Sequence, residues 1–292
     1  MDKSLFNKWF NGQSVIAFFI LVFLMSMLFW LFGSLSEQSL PKEASINLPI
    51  SSLMVVCPLI ASVILVQRKN GSHGVKELLK RSFDYKRIKK KIWYIPILLL
   101  MPMTMVLANG VINGKRIITL PTQFPSAMIL GPSLLFFIAA LAEEVGWSGY
   151  ALDPMQDRWN VLPAGLILGI VWASWHIVPF IQTQNSAKWI VWQSINLVVS
   201  RIIIVWIYNH TGKSVFAAIL YHAIYNVSTL IFPNFGFIYD PAITTIILIA
   251  ITLIIIFLWG PKTLMEYRFT RSQIKTQMVD ASSLDPEVDT TT

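Results

Sequence analysis

Two adjacent glutamates, Glu143 and Glu144, sit inside an otherwise apolar stretch, FFIAALAEEVGWSGYALDPMQ. Two histidines have similar surroundings. His176 lies in ILGIVWASWHIVPF, four residues after Trp172, and His222 lies in SVFAAILYHAIYNVS, four residues before Asn226. One helical turn separates i from i+4, so Trp172 and His176 share a face, as do His222 and Asn226. Carboxylate, imidazole and carboxamide in a partly dry cavity suit activation of water and stabilisation of an oxyanion. A glutamate takes the proton of a water that one histidine orients, while a second imidazole and an amide donate to the developing tetrahedral oxygen. Glu143, His176 and His222 could instead hold a zinc ion with an open fourth position. The residue types leave these two chemistries open. The sequence has no Gly-x-Ser-x-Gly, no evident Ser/Lys dyad and no His-Glu-x-x-His, and its single cysteine, Cys57, has no motif around it. Covalent nucleophilic catalysis is therefore disfavoured.

A lone histidine in a membrane helix more often bonds a neighbouring helix than catalyses anything. An adjacent pair of glutamates is different, because ionisable groups in hydrocarbon cost about 2.5–3.5 kcal/mol or more each at a helix centre. Taken together, Glu143, Glu144, His176, His222 and Asn226 read as a functional set. His73 and His210 read as solvated loop residues.

The elements that must hold these groups follow from composition. Of 292 residues, 55% are apolar and only 13% charged, against roughly a quarter charged in a soluble globular protein. Charge is also concentrated: twelve of the 38 charged residues lie between Arg68 and Lys91, and nine between Lys262 and Asp289. The remainder cannot form a water-soluble surface, so the chain is a polytopic membrane protein. A bilayer core of roughly 30 Å takes about 20 apolar helical residues. Eight segments fit that length: 14–33, 46–66, 92–112, 126–152, 162–181, 189–209, 214–232 and 241–260. The expectation is an all-α fold of about eight transmembrane helices, with a buried polar site between the fourth, fifth and seventh. Residues 1–275 form the membrane-embedded domain, its core at 126–232, and 276–292 form a polar, disordered tail.

The loop 67–91 carries ten Lys/Arg, which places it and both termini in the cytoplasm. Val75, Leu78, Leu79 and Phe83 fall at helical spacing among those basic residues. A short helix on the inner leaflet follows, with anionic lipid headgroups rather than nucleic acid as the partner of the +8 net charge. Pro154 is expected to end the fourth helix near Leu152. Counted from the cytoplasmic helix ends, Glu143, His176 and His222 then lie roughly 15, 20 and 12 Å deep at 1.5 Å per residue. Three helices thus bring polar groups to a similar level, in a cavity expected to open to the cytoplasm.

Glu143-Glu144-Val145-Gly146-Trp147-Ser148, Trp172-Ala173-Ser174-Trp175-His176 and His222-Ala223-Ile224-Tyr225-Asn226 resemble three signatures of one family. These are the CAAX-protease and bacteriocin-processing (Abi) intramembrane endopeptidases, with EExxxR, aromatic-xxxH and HxxxN or HxxxB in that order. The resemblance spans roughly residues 134–230. It implies an eight-span helical fold and hydrolysis of a peptide bond in a membrane-associated protein or peptide precursor. It further implies that Glu143 activates water with help from His176, that Glu144 supports them, and that His222 and Asn226 form an oxyanion hole. A metal-independent mechanism is favoured, with zinc the other reading. A non-catalytic role on the same fold, as a bacteriocin self-immunity protein or membrane scaffold, is the alternative, and a transporter is disfavoured because no internal repeat is evident. The compartment implied is a bacterial plasma membrane.

One position departs from the pattern: the family arginine falls on Ser148. Glu144 must then either stay neutral or find another cation. Arg201 is the only Lys or Arg within the interior of any of the eight segments, at about the depth of Glu144. It either pairs with Glu144 or snorkels to headgroups.

Overall fold

The computed structural model describes residues 3–36, 50–114, 126–235 and 238–269. The polar tail 276–292 lies outside them. Among the described residues the chain is helical without strands: α1 (Lys3–Ser36), α2 (Cys57–Lys80), α3 (Tyr94–Asn113), α4 (Ser126–Gly146), α5 (Leu152–Trp159), α6 (Val161–Gln182), α7 (Ala187–His210), α8 (Val215–Ile231) and α9 (Pro241–Trp259). Seven helical stretches are long and apolar enough to cross a membrane, and α8 is a shorter apolar helix of 17 residues. The expected architecture of about eight helices is borne out, and the chain is a multi-pass membrane protein.

α7 is the central helix. From Val199 to Asn209 every side chain is buried, and it packs against α6, α8 and α9. Its contact with α6 is close because Gly169 faces it. A Cβ there would stand 3.1 Å from the Val198 Cα and 3.2 Å from the Arg201 Cβ. Small residues let membrane helices approach in this way, where packing rather than the hydrophobic effect drives association. Gly146 does the same for α4 on α2, since a Cβ would lie 2.6 Å from the Pro58 carbonyl oxygen.

The fourth span does not end at Pro154. α4 passes through a π-helical turn, Trp147–Ala151, and continues as α5 to Trp159. The wider turn breaks the regular ladder, so Pro154 falls in the first turn of α5, where a missing N–H and a fixed φ are tolerated. π-turns inside α-helices are frequent at functional sites, and this one starts three residues after Glu144.

The basic segment is tied to the helices it joins. α2 kinks at Gly71 (φ 64°) and runs on to Lys80, so the amphipathic stretch expected to be separate is the second limb of α2. Leu78 of this limb is buried, while Leu79 and Phe83 are exposed. Asp84 caps α8 from outside its own chain segment: it accepts from Ser214 Oγ at 2.6 Å and from the Phe216 amide at 3.1 Å. Arg81 donates to the Gly149 carbonyl at 2.7 Å and to Tyr208 Oη at 2.5 Å. Tyr208 in turn donates to Asp153, which pairs with Lys213 at 3.0 Å. Two of the ten basic residues are therefore partly structural, since Arg87 also bonds the Gly212 carbonyl.

His73 is exposed, as expected, although it sits in α2 rather than a loop. His210 is corrected. It is the last residue of α7, half-buried, with its ring 4.2 Å from Trp93 and within 5.6 Å of both Trp206 and Trp259, centroid to centroid. α7 ends one residue past the expected span 189–209, and the three tryptophans packed around that end enclose the ring.

Candidate active site

Glu143, His176, His222 and Asn226 all line one cavity of about 300 Å³. α4 supplies the glutamate, α6 the first histidine, and α8 the second histidine with the asparagine one turn on. Glu144 stands directly behind, fully buried.

Trp172 organises the carboxylate side. Its indole N–H donates to Glu143 Oε2 at 2.7 Å, which holds that carboxylate and leaves Oε1 for another partner. The His176 Nδ1 lies 2.8 Å from the Trp172 carbonyl oxygen. A carbonyl only accepts, so Nδ1 carries the hydrogen and Nε2 is left free for the cavity. Phe180 stacks on His176 at 5.7 Å and Trp175 meets it edge-on at 4.8 Å, fixing the ring plane.

Behind this layer, Glu144 binds three donors. Oε1 accepts from His222 Nδ1 at 2.9 Å, while Oε2 accepts from Arg201 Nη1 at 2.8 Å and from the Ser148 hydroxyl one turn along. Both members of the Glu144–Arg201 ion pair are fully buried. Of the two fates open to Glu144, the structure realises the pair with Arg201. The guanidinium also lies over the Trp172 ring, 4.2 Å from its centre, a favourable cation–π arrangement in a desolvated site. Arg201 Nε and Nη2 find no hydrogen-bond partner among the described residues. The family's arginine, absent at Ser148, is thus replaced in charge from α7, with serine supplying an additional hydroxyl. A buried ion pair of this kind costs desolvation on both sides, and neither member tolerates loss of the other.

The far wall carries polar residues that motif reading missed. Tyr239 donates to Gln193 Oε1, the Gln193 amide donates to Tyr225 Oη at 3.1 Å, and Tyr225 donates to Asn196 Oδ1 at 2.7 Å. Asn196 then donates to Thr245 Oγ1 at 3.0 Å. Gln193, Tyr225 and Tyr239 line the cavity. The one available signal was a glutamine and an asparagine three residues apart within the apolar run of α7.

Among the described residues no group of three or more His, Cys, Asp or Glu is placed to hold a metal ion. Glu143, His176 and His222, the trio that could have taken zinc, are not gathered as one ligand set. Each histidine bonds through Nδ1, His176 to the Trp172 carbonyl and His222 to Glu144, which leaves the Nε2 of both rings for other partners.

The cavity does not open toward the basic end. Its rim is formed by Phe180 in the last turn of α6, Trp189 at the start of α7, Thr229 and Leu230 at the end of α8, and Tyr239 just before α9. All are half-buried or exposed, whereas Glu143, Trp172 and His222 beneath them are 2% exposed or less. The expectation of an opening at the basic face is therefore corrected. Depth counted from one helix end fixes the level of the site but not the direction in which it opens.

Fold and site together define a helical membrane protein with a carboxylate–imidazole–carboxamide cavity backed by a buried ion pair. Comparison with known proteins agrees with that class. Residues 125–228 match the family model "Type II CAAX prenyl endopeptidase Rce1-like". The chain is also 29% identical over 232 residues to CAAX prenyl protease 2 of Methanococcus maripaludis, covering 72% of this chain and 82% of that relative. The resemblance read from the three motifs is borne out: over its core the chain is similar to the CAAX prenyl endopeptidase family.

Proposed function

We propose that this protein is an intramembrane endopeptidase that hydrolyses a peptide bond with a glutamate-activated water and without a metal ion. The observation that carries the reading is that Glu143, His176, His222 and Asn226, from three helices, line a single cavity. The similarity to a protein named CAAX prenyl protease 2 supports it. In this mechanism the free Glu143 Oε1 takes a proton from a water that His176 Nε2 orients. The water oxygen bonds the scissile carbonyl carbon, and the carbonyl oxygen becomes an oxyanion held by donors from His222 and Asn226. Glu143 returns the proton to the departing amine as the tetrahedral centre collapses, which leaves an acid and an amine. Glu144, with Arg201 and Ser148, holds His222 in place.

The basic face lies against anionic lipid in the same proposal, with both termini in the cytoplasm. The test is cleavage of peptide and lipidated-peptide substrates by protein purified in detergent. Cleavage should persist in chelator and vanish in Glu143→Ala. Unchanged cleavage or biological effect in Glu143→Ala would mean the fold serves a non-enzymatic role.

A further inference from the structure

The side from which substrate enters is written in where the mouth lies relative to charge. Among the described residues, 14 Lys and Arg fall at one end of the helices: the ten of segment 67–91, with Arg158, Lys213, Lys262 and Arg268. The described segments at the other end carry one, Lys188, and Arg201 lies between. That the first set shares one end is structural where it is described. Asp84 and Arg87 reach Ser214 and Gly212, and Arg81 and Lys213 reach Asp153. Lys262 accepts a bond at its carbonyl from the Val161 amide.

The cavity rim belongs wholly to the other end. Phe180, Trp189, Thr229, Leu230 and Tyr239 sit at helix termini that carry few basic residues. Toward the basic end the cavity is closed: Glu144, Ser148, Arg201, Tyr208, Ser214 and Val215 have no exposed surface at all. The positive-inside bias orients polytopic proteins with their Lys/Arg-rich loops in the cytoplasm. We infer that the site is reached from the extracytoplasmic leaflet, and that its substrate is a peptide segment of a protein exported to, or anchored at, that outer face. The substrate half of this statement rests on the peptidase reading above. The direction of access rests only on the cavity and the charge asymmetry. The rim suits such a segment. It offers aromatic and aliphatic surface for an apolar side chain, and Glu143 is the sole carboxylate among the lining residues.

The experiment uses the scarcity of thiols. Cys57 is the single cysteine and is fully buried, so full-length Cys57→Ala gives a thiol-free background. Thr229→Cys and, independently, Trp189→Cys place a thiol on the rim. Lys76→Cys places one on the exposed basic limb of α2. Intact cells are treated with a membrane-impermeant sulfonated maleimide, then with a permeant one to count the remaining thiols. Both rim cysteines should react with the impermeant reagent from outside, and Lys76→Cys only after permeabilisation. Glu143→Ala added to either rim variant should leave this pattern unchanged, which separates access from catalysis. Rim cysteines labelled from the same side as Lys76→Cys would overturn the inference. So would rim cysteines that react only with the permeant reagent, or Lys76→Cys labelled from outside.

Discussion

At the residue scale, the two histidines differ in what their second nitrogen can do. His176 gives its Nδ1 hydrogen to a backbone carbonyl, so the neutral ring presents a lone pair at Nε2, as orienting a water requires. His222 gives its Nδ1 hydrogen to Glu144, so its Nε2 can donate to an oxyanion only when the ring carries both protons. His222→Gln, whose amide can still donate toward the oxyanion, should lower kcat less than His222→Ala does, with KM little changed in either; steady-state kinetics of both variants checks this. Glu143→Gln preserves the bond from Trp172 in shape but removes the base, and should lower kcat by a factor of about a hundred or more. Arg201→Ala strands the Glu144 carboxylate in a dry site and should cost about 3–5 kcal/mol. Arg201→Ala combined with Glu144→Gln should recover part of that loss, read as thermal unfolding in detergent. Most of this layer was legible in the sequence. The motif residues stand out because polar groups are rare in these spans, and Arg201 stood out as the lone cation inside one. The chain from Tyr239 to Asn196 was not legible. Tyrosines are common near membrane interfaces, and the bonds join three elements whose register only packing sets.

At the element scale, helix placement depends on a few positions where one atom too many forces helices apart. Gly169 brings α6 against α7 where Arg201 leaves the helix. Gly169→Val should destabilise the protein by about 1–3 kcal/mol through overpacking. It should also lower kcat, because it shifts His176 on α6 relative to the Arg201–Glu144 pair. Gly169→Ala should show the same effects in smaller measure. Asp84 caps α8 about two turns before His222 through three contacts near that helix's start, with Ser214 Oγ and the Val215 and Phe216 amides. Asp84→Ala should cost about 1–2 kcal/mol, while Asp84→Asn should retain much of the cap. Span positions were readable from 20-residue apolar runs, but the π-turn was not. Nothing in Trp147–Ala151 signals an extra residue per turn, and Pro154 pointed to an end that the wider turn removes.

At the scale of the whole molecule, charge is distributed along the membrane normal and so is exposure, and the two run in opposite senses. The charge asymmetry could be counted from the sequence. The exposure gradient could not, because residues from α4, α6, α7, α8 and the approach to α9 contribute to it only once packed. The fully buried layer of Glu144, Ser148 and Arg201 beneath the cavity has a kinetic consequence. A site with one door makes arrival and departure compete for the same passage. The fragment nearer the floor cannot leave until the fragment nearer the rim has gone, so the two products should depart in a fixed order. The deeper fragment, added back, should then act as a competitive inhibitor, and the outer one should inhibit weakly or not at all. Escape, rather than bond cleavage, would then set the pace for long substrates, as it does in many enzymes with gated sites. Comparing a single-turnover burst with the steady-state rate across substrates of increasing length would show it as a burst that stays constant while the steady rate declines.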